Sequence, residues 1–192
     1  GGAFSNHIAA VAYAGKENNL ETIGIIRGDE LESKILENPT LTFAQNCGMK
    51  FEFVTRESYR TKTSNSFIEG LKEHYGDFYL VPEGGTNSLA VKGCGEILTI
   101  EDSDFTHICC AIGTGGTISG LINSAKAHQK IIGFPALKGD FLSDDIRKFA
   151  TNSNWEVQLD YHFGGYAKIN EELIRFINDF YKQTNIPLDS IY

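Results

Sequence analysis

Five consecutive residues, Gly113-Thr114-Gly115-Gly116-Thr117, have the types and spacing to hold an anion. Glycines without a Cβ let backbone N–H groups come close to a ligand, and a following helix would add the partial positive charge of its N-terminus. The hydroxyls of Thr114 and Thr117 can donate as well, and together these groups suit a phosphate. A second polar turn, Ser5-Asn6-His7, precedes an alanine-rich stretch of good helix formers from Ile8 to Tyr13. A third, Pro82-Glu83-Gly84-Gly85-Thr86-Asn87, follows an apolar run. Each has a plain structural reading too: the glycines let a helix pack closely on a strand, Ser and Asn cap helices, and the third turn is an ordinary loop.

The elements that must position these turns are legible as alternating strands and helices. Phe105 to Ile112 is a β-branched apolar run and Ile118 to Ala127 has helical spacing, so the glycine turn reads as strand, turn, helix. Glu21 to Arg27, Cys47 to Val54, Phe78 to Pro82, Lys130 to Ala136 and Trp155 to Tyr161 read as further strands. Helices are expected from about Leu31 to Leu36, over Ser66 to Tyr75 with Gly76 as stop, over Ser88 to Leu98, over Leu142 to Ala150, and from Glu171 to about Gln183 with Asn170 as cap. Such alternation implies parallel sheets covered by helices, an α/β architecture. The Pro-Gly-Gly break divides it into two lobes, 1–84 and 85–192, with no repeat or flexible linker.

Composition narrows the partners. The chain has 192 residues, 41% of them hydrophobic, which suffices for a real core. A formal charge of -8, from 17 Lys and Arg against 25 Asp and Glu, argues against nucleic acid or an anionic membrane surface, since both attract a basic field. No apolar run approaches membrane-spanning length and no signal peptide opens the chain. The four cysteines show no paired C-x-x-C spacing, and the adjacent Cys109 and Cys110 sit in an apolar run, so they read as reduced, buried and structural, which fits the cytoplasm. No metal-ligand pattern stands out. The glycine spacing also lacks the G-x-G-x-x-G fingerprint, since Ile118 stands where the last glycine belongs, and G-x-x-x-x-G-K-[ST] is missing.

Taken in order, Gly-Gly-x-x-Ser5-Asn6-His7, Pro82-x-Gly84-Gly85-x-Asn87, Gly113-Thr114-Gly115-Gly116-Thr117, Gly165-Tyr166 before an Asn-Glu-Glu helix, and Leu188-Asp189-Ser190-Ile191-Tyr192 resemble the landmarks of the 1-aminocyclopropane-1-carboxylate deaminase and D-cysteine desulfhydrase family. The resemblance covers the whole chain. It implies two open, mainly parallel α/β lobes of the tryptophan synthase β-like fold, with pyridoxal 5'-phosphate between them, a small amino acid as substrate and a homodimer. By resemblance, Gly113, Thr114, Gly115, Gly116 and Thr117 hold the cofactor phosphate, and Asn6 bonds the ring hydroxyl. Ser5, Asn6 and His7 face the substrate, while Ser5, Tyr166 and Tyr192 are the candidate proton-transfer groups.

In that family the cofactor is tethered to a lysine N-terminal to the Gly-Gly-x-x-Ser-Asn-His segment, and the chain continues past the position of Tyr192. The resemblance therefore implies a central piece of a longer enzyme, incomplete at both ends and inactive alone. Arg27-Gly28-Asp29-Glu30 stands where ring-opening members tend to carry tryptophan, which leans toward the desulfhydrase branch. A serine dehydratase or cysteine synthase of the same fold type, or a non-catalytic α/β binding piece, are the alternatives.

Overall fold

A computed structural model describes residues 1–191 and divides the chain into two compact units, Gly1–Gly84 and Gly85–Tyr192. In the first unit, helix α1 (Asn6–Glu17) precedes strand β1 (Ile23–Arg27), a 3-10 segment (Asp29–Glu37), α2 (Pro39–Asn46), β2 (Lys50–Val54), α3 (Arg56–Arg60) and α4 (Asn65–Tyr75). β1 and β2 pair in parallel from Ile23 opposite Lys50 to Arg27 opposite Val54. Ala3, Ile8, Ala12, Ile26, Leu41, Ala44 and Met49 form the core beneath them.

The second unit continues with α5 (Ser88–Cys94), β3 (His107–Ile112), α6 (Gly116–Ser124), β4 (Lys130–Pro135), α7 (Leu142–Arg147), β5 (Trp155–Val157) and α8 (Glu171–Thr184). Its sheet runs β3-β4-β5, all parallel, with His107 opposite Lys130 and Ile131 opposite Trp155. The core is aliphatic: Ile112, Ile118, Leu121, Ile122, Ile131, Leu142 and Ile146. Gly133 on β4 is its socket. A Cβ there would stand 2.3 Å from Ile112 Cδ1 and 2.5 Å from Ile118 Cδ1, so the two isoleucines flanking the glycine turn plug into one space.

The α/β fold with parallel sheets is as expected; several elements differ from the sequence reading. Phe78 to Pro82 is not a strand. It pairs with no strand, Tyr79 is 72% exposed, and apolar character without a partner ladder leaves the segment irregular. The expected helix at Leu31 to Leu36 is a 3-10 segment kinked at Lys34. The Ser88 helix stops at Cys94, in a glycine pair (Gly93 and Gly95) that weakens propagation, and the Leu142 helix stops at Arg147. The expected strand Trp155 to Tyr161 ends at Val157 and turns into a 3-10 segment, Leu159–Tyr161. All four cysteines are free thiols, but Cys109 is exposed, because β3 alternates and Cys109 falls on its open face. α8 forms as expected, capped by Asn170, whose Oδ1 accepts from Leu173 N at 2.8 Å; on its apolar side Leu173, Ile177 and Phe180 are half-buried, while Ile174 is exposed. Among the described residues no helix is long and apolar enough to cross a membrane.

Candidate functional site

In the second unit the turn from β3 to α6 is built around backbone donors. Gly115 is the N-cap of α6 at φ +87°, a left-handed conformation that glycine adopts without strain, and no side chain caps the helix. Ser119 closes the first turn instead, its N–H and hydroxyl both donating to the Gly115 carbonyl, at 3.1 and 2.7 Å. The N–H groups at the start of α6 are thus left to an incoming acceptor, with the helix dipole behind them. Gly116 is buried, and a Cβ there would stand 2.9 Å from Thr86 Oγ1. The Thr86 hydroxyl lies 2.7 Å from that of Thr114. Thr117 is exposed, and the Cys94 thiol points weakly at its hydroxyl from 3.9 Å. Backbone donors, a missing Cβ and three threonine hydroxyls fit an oxyanion of phosphate size.

Thr86 is the residue that sequence reasoning missed. It occupies the second of the two unassigned positions of the Pro82-x-Gly84-Gly85-x-Asn87 motif, and its pairing with Thr114 spans 28 positions of sequence. Asn87 is a helix cap, its Oδ1 accepting from Ala90 N at 2.9 Å.

The Ser5-Asn6-His7 turn belongs to the first unit. Ser5 is the N-cap of α1 by backbone geometry, and its carbonyl accepts from Ile8 N at 3.0 Å, yet its side chain makes no capping bond although the residue is only 9% exposed. Asn6 is exposed and His7 half-buried. Burial of the imidazole, opposed by the Pro82 carbonyl, holds its pKa below the ordinary histidine value. Tyr166 is half-buried in the second unit, within a loop whose backbone turns left-handed at Phe163, Gly164, Gly165 and Ala167. Left-handed Phe and Ala are costly, a pattern that concentrates at functional loops. The loop is tied by Lys168 N to Gly165 O at 3.0 Å and by the Asn170 amide to Phe163 O at 3.1 Å. Tyr192 lies outside the described residues. Among the described residues no group of three or more His, Cys, Asp and Glu is gathered as for a metal.

No family model matches the chain. Over its full length it is 28% identical to 67% of a protein of Thermotoga maritima provisionally named 1-aminocyclopropane-1-carboxylate deaminase. It is also 28% identical, again over its full length, to 54% of the mitochondrial bifunctional D-cysteine desulfhydrase/1-aminocyclopropane-1-carboxylate deaminase of Arabidopsis thaliana. Along its whole length the chain is similar to proteins named for these deaminase and desulfhydrase activities. It spans between about half and two thirds of the length of those family members. Among solved structures it resembles maize serine racemase, with a TM-score of 0.63 at 16% identity over 98% of this chain and 61% of that one. Tomato threonine deaminase isoform 2 gives 0.60 at 18% identity, over 98% and 59%. Likeness at this identity shows the fold, that of the tryptophan synthase β-like enzymes.

Proposed function

We propose that this chain holds pyridoxal 5'-phosphate and serves an enzyme that breaks a carbon–sulfur or carbon–nitrogen bond of a small amino acid. D-Cysteine, with water, would give pyruvate, ammonia and hydrogen sulfide; 1-aminocyclopropane-1-carboxylate, with water, would give 2-oxobutyrate and ammonia. The observation that carries the reading is the uncapped start of α6, where Gly115, the buried Gly116 and the hydroxyls of Thr86, Thr114 and Thr117 leave room and donors for a phosphate. Similarity of the whole of this chain to 54% of a protein named for both activities supports the choice of reaction.

In this reading Gly113, Thr114, Gly115, Gly116 and Thr117 bind the phosphate. Once bound, the cofactor supplies the electron sink that makes the substrate's reacting carbon acidic. Asn6 is assigned to the ring hydroxyl and, with Ser5 and His7, to the substrate. Ser5 and Tyr166 are assigned to proton transfer at the reacting carbon, which in D-cysteine is the α-carbon, and Tyr192 to the same task. The Ser5 hydroxyl suits this role because no helix cap consumes it. Arg27-Gly28 in place of tryptophan favours the desulfhydrase branch. A homodimer remains the expected assembly.

The test is turnover by the purified intact protein, of which this chain is read as the central piece inactive by itself, supplied with pyridoxal phosphate. Sulfide release from D-cysteine that exceeds pyruvate formation from L-serine is the expected result. Preference for L-serine would move the protein to the dehydratase reading, and failure to bind the cofactor would overturn the proposal.

A further inference from the structure

Two glycines on one face of α6 bring a residue from outside the glycine turn up against it. Gly116 and Gly120 are four positions apart on the helix, hence one above the other. A Cβ on Gly120 would stand 2.4 Å from Cys94 Cβ, so this face lies directly on α5. A Cβ on Gly116 would stand 2.9 Å from Thr86 Oγ1 and 3.5 Å from Thr86 Cβ, so the residue just ahead of the α5 cap is drawn onto the first turn of α6. There the Thr86 hydroxyl meets that of Thr114 at 2.7 Å.

Two hydroxyls in contact are not two independent donors. One O–H lies between the oxygens, and only the hydroxyl that accepts it keeps its own hydrogen for a further acceptor. The accepting hydroxyl is also polarised by the bond and donates more strongly. Burial sets the direction. Thr86 is half-buried against Gly116, whereas Thr114 is exposed within the glycine turn itself. Thr114 is therefore the member with room for an incoming ligand, and Thr86 stands behind it. Asn87, the next residue, commits its side chain to the Ala90 N–H at 2.9 Å, which fixes the backbone that carries Thr86. Thr117 has a weaker neighbour, the Cys94 thiol at 3.9 Å.

We propose that Thr86 is a positioning residue of this turn: its hydroxyl donates to Thr114 Oγ1, and Thr114 turns its own hydrogen outward to the oxyanion. The inference rests on the reading of the turn as a phosphate site and divides the labour within it, since Thr86 acts on the anion only through Thr114. A threonine hydroxyl left alone rotates to suit whatever arrives. This one is aimed beforehand, which lowers the cost of ordering it on binding.

A double-mutant cycle in the intact protein tests the pairing, read by fluorescence titration with pyridoxal phosphate and, separately, with pyridoxal. Thr86→Val keeps the branched shape on Gly116 and removes the hydroxyl; it is expected to weaken pyridoxal phosphate binding about three- to tenfold. Pyridoxal, which has no phosphate, should bind as before. Thr86→Ser should retain the affinity for pyridoxal phosphate. Thr114→Val should weaken binding at least as much as Thr86→Val, and combining the two should add nothing, because Thr86 then has no hydroxyl to orient. The phosphorus resonance of the bound cofactor is expected to shift in Thr86→Val and to stay in place in Thr86→Ser. Additive losses would mean that Thr86 reaches the phosphate by itself, and unchanged affinity in a folded Thr86→Val protein would mean that it does nothing there; either overturns the proposal. So does an equal loss for pyridoxal and pyridoxal phosphate, the mark of a merely structural residue. If the unsubstituted protein binds pyridoxal phosphate no better than pyridoxal, the reading of the turn as a phosphate site falls, and the proposal with it.

Discussion

Two neighbouring helices of the second unit begin in opposite ways. α5 starts under Asn87, whose side chain takes the Ala90 N–H, and so its first turn is satisfied from within. α6 starts from a left-handed glycine with no side-chain cap, and its leading N–H groups remain available. The first and last helices repeat the contrast: Asn170 caps α8 with its side chain, whereas Ser5 stands at the cap position of α1 and leaves its hydroxyl uncommitted. Capping residues serve stability at α5 and α8. At α1 and α6 that contribution is forgone, and the donors it would have consumed stay free for a ligand.

The contrast breaks most violently at Gly120, where α6 packs on α5. A Cβ there would stand 2.4 Å from Cys94 Cβ and 2.7 Å from the Val91 carbonyl oxygen, so backbone must move. Gly120→Ala is expected to cost about 3 kcal/mol, read by calorimetry, and to reduce cofactor affinity with it by displacing α6. Thr117→Val should separate binding from stability: cofactor affinity falls by roughly 1–3 kcal/mol in a fluorescence titration while Tm holds. Unchanged affinity would remove the turn from the site. Asn87→Ala should do the converse, with about 1 kcal/mol lost from stability. Ser5→Ala, at the uncapped start, should alter stability by less than about 0.5 kcal/mol while turnover of D-cysteine drops; a large stability loss would mean the hydroxyl is structural after all.

The mildest expected effect is on pH. His7 has a lowered pKa in the fold, so the unfolded chain binds its proton more readily, and stability falls as pH drops below the ordinary histidine value of about 6.5. Burial works against the Glu83 carboxylate, but Lys62 Nζ at 3.1 Å outweighs it and its pKa is also lowered, so its contribution is present above the ordinary glutamate value of about 4.3 and is lost as pH falls through its folded pKa. Urea unfolding across this range should show the first unit weakening on acidification, with the lower step missing in Glu83→Gln.

What was legible beforehand had local causes. The apolar runs of β1, β3 and β4, and the glycine turn between β3 and α6, announce themselves in short windows, and so does the Asn170 cap. The landmarks in their order pointed to the family, a conclusion the relatives support. Phe78 to Pro82 misled because its pattern is a strand's and only the missing partner strand decides otherwise. α2 was overlooked although Asn38-Pro39 is a cap followed by proline at the first helical position, with Asn38 Oδ1 accepting from Leu41 N at 3.0 Å. The pairing of Thr86 with Thr114 depends on a tertiary contact that no periodicity encodes.

The shared socket at Gly133 has a kinetic consequence. Ile112 stands immediately before the glycine turn and Ile118 just inside the helix after it, and both are held in the one hollow on β4. A loop pinned at both ends need not be ordered by the arriving anion, so little conformational entropy is lost on capture. Association should then proceed at the rate of encounter, and differences in affinity among turn variants should appear as differences in residence time.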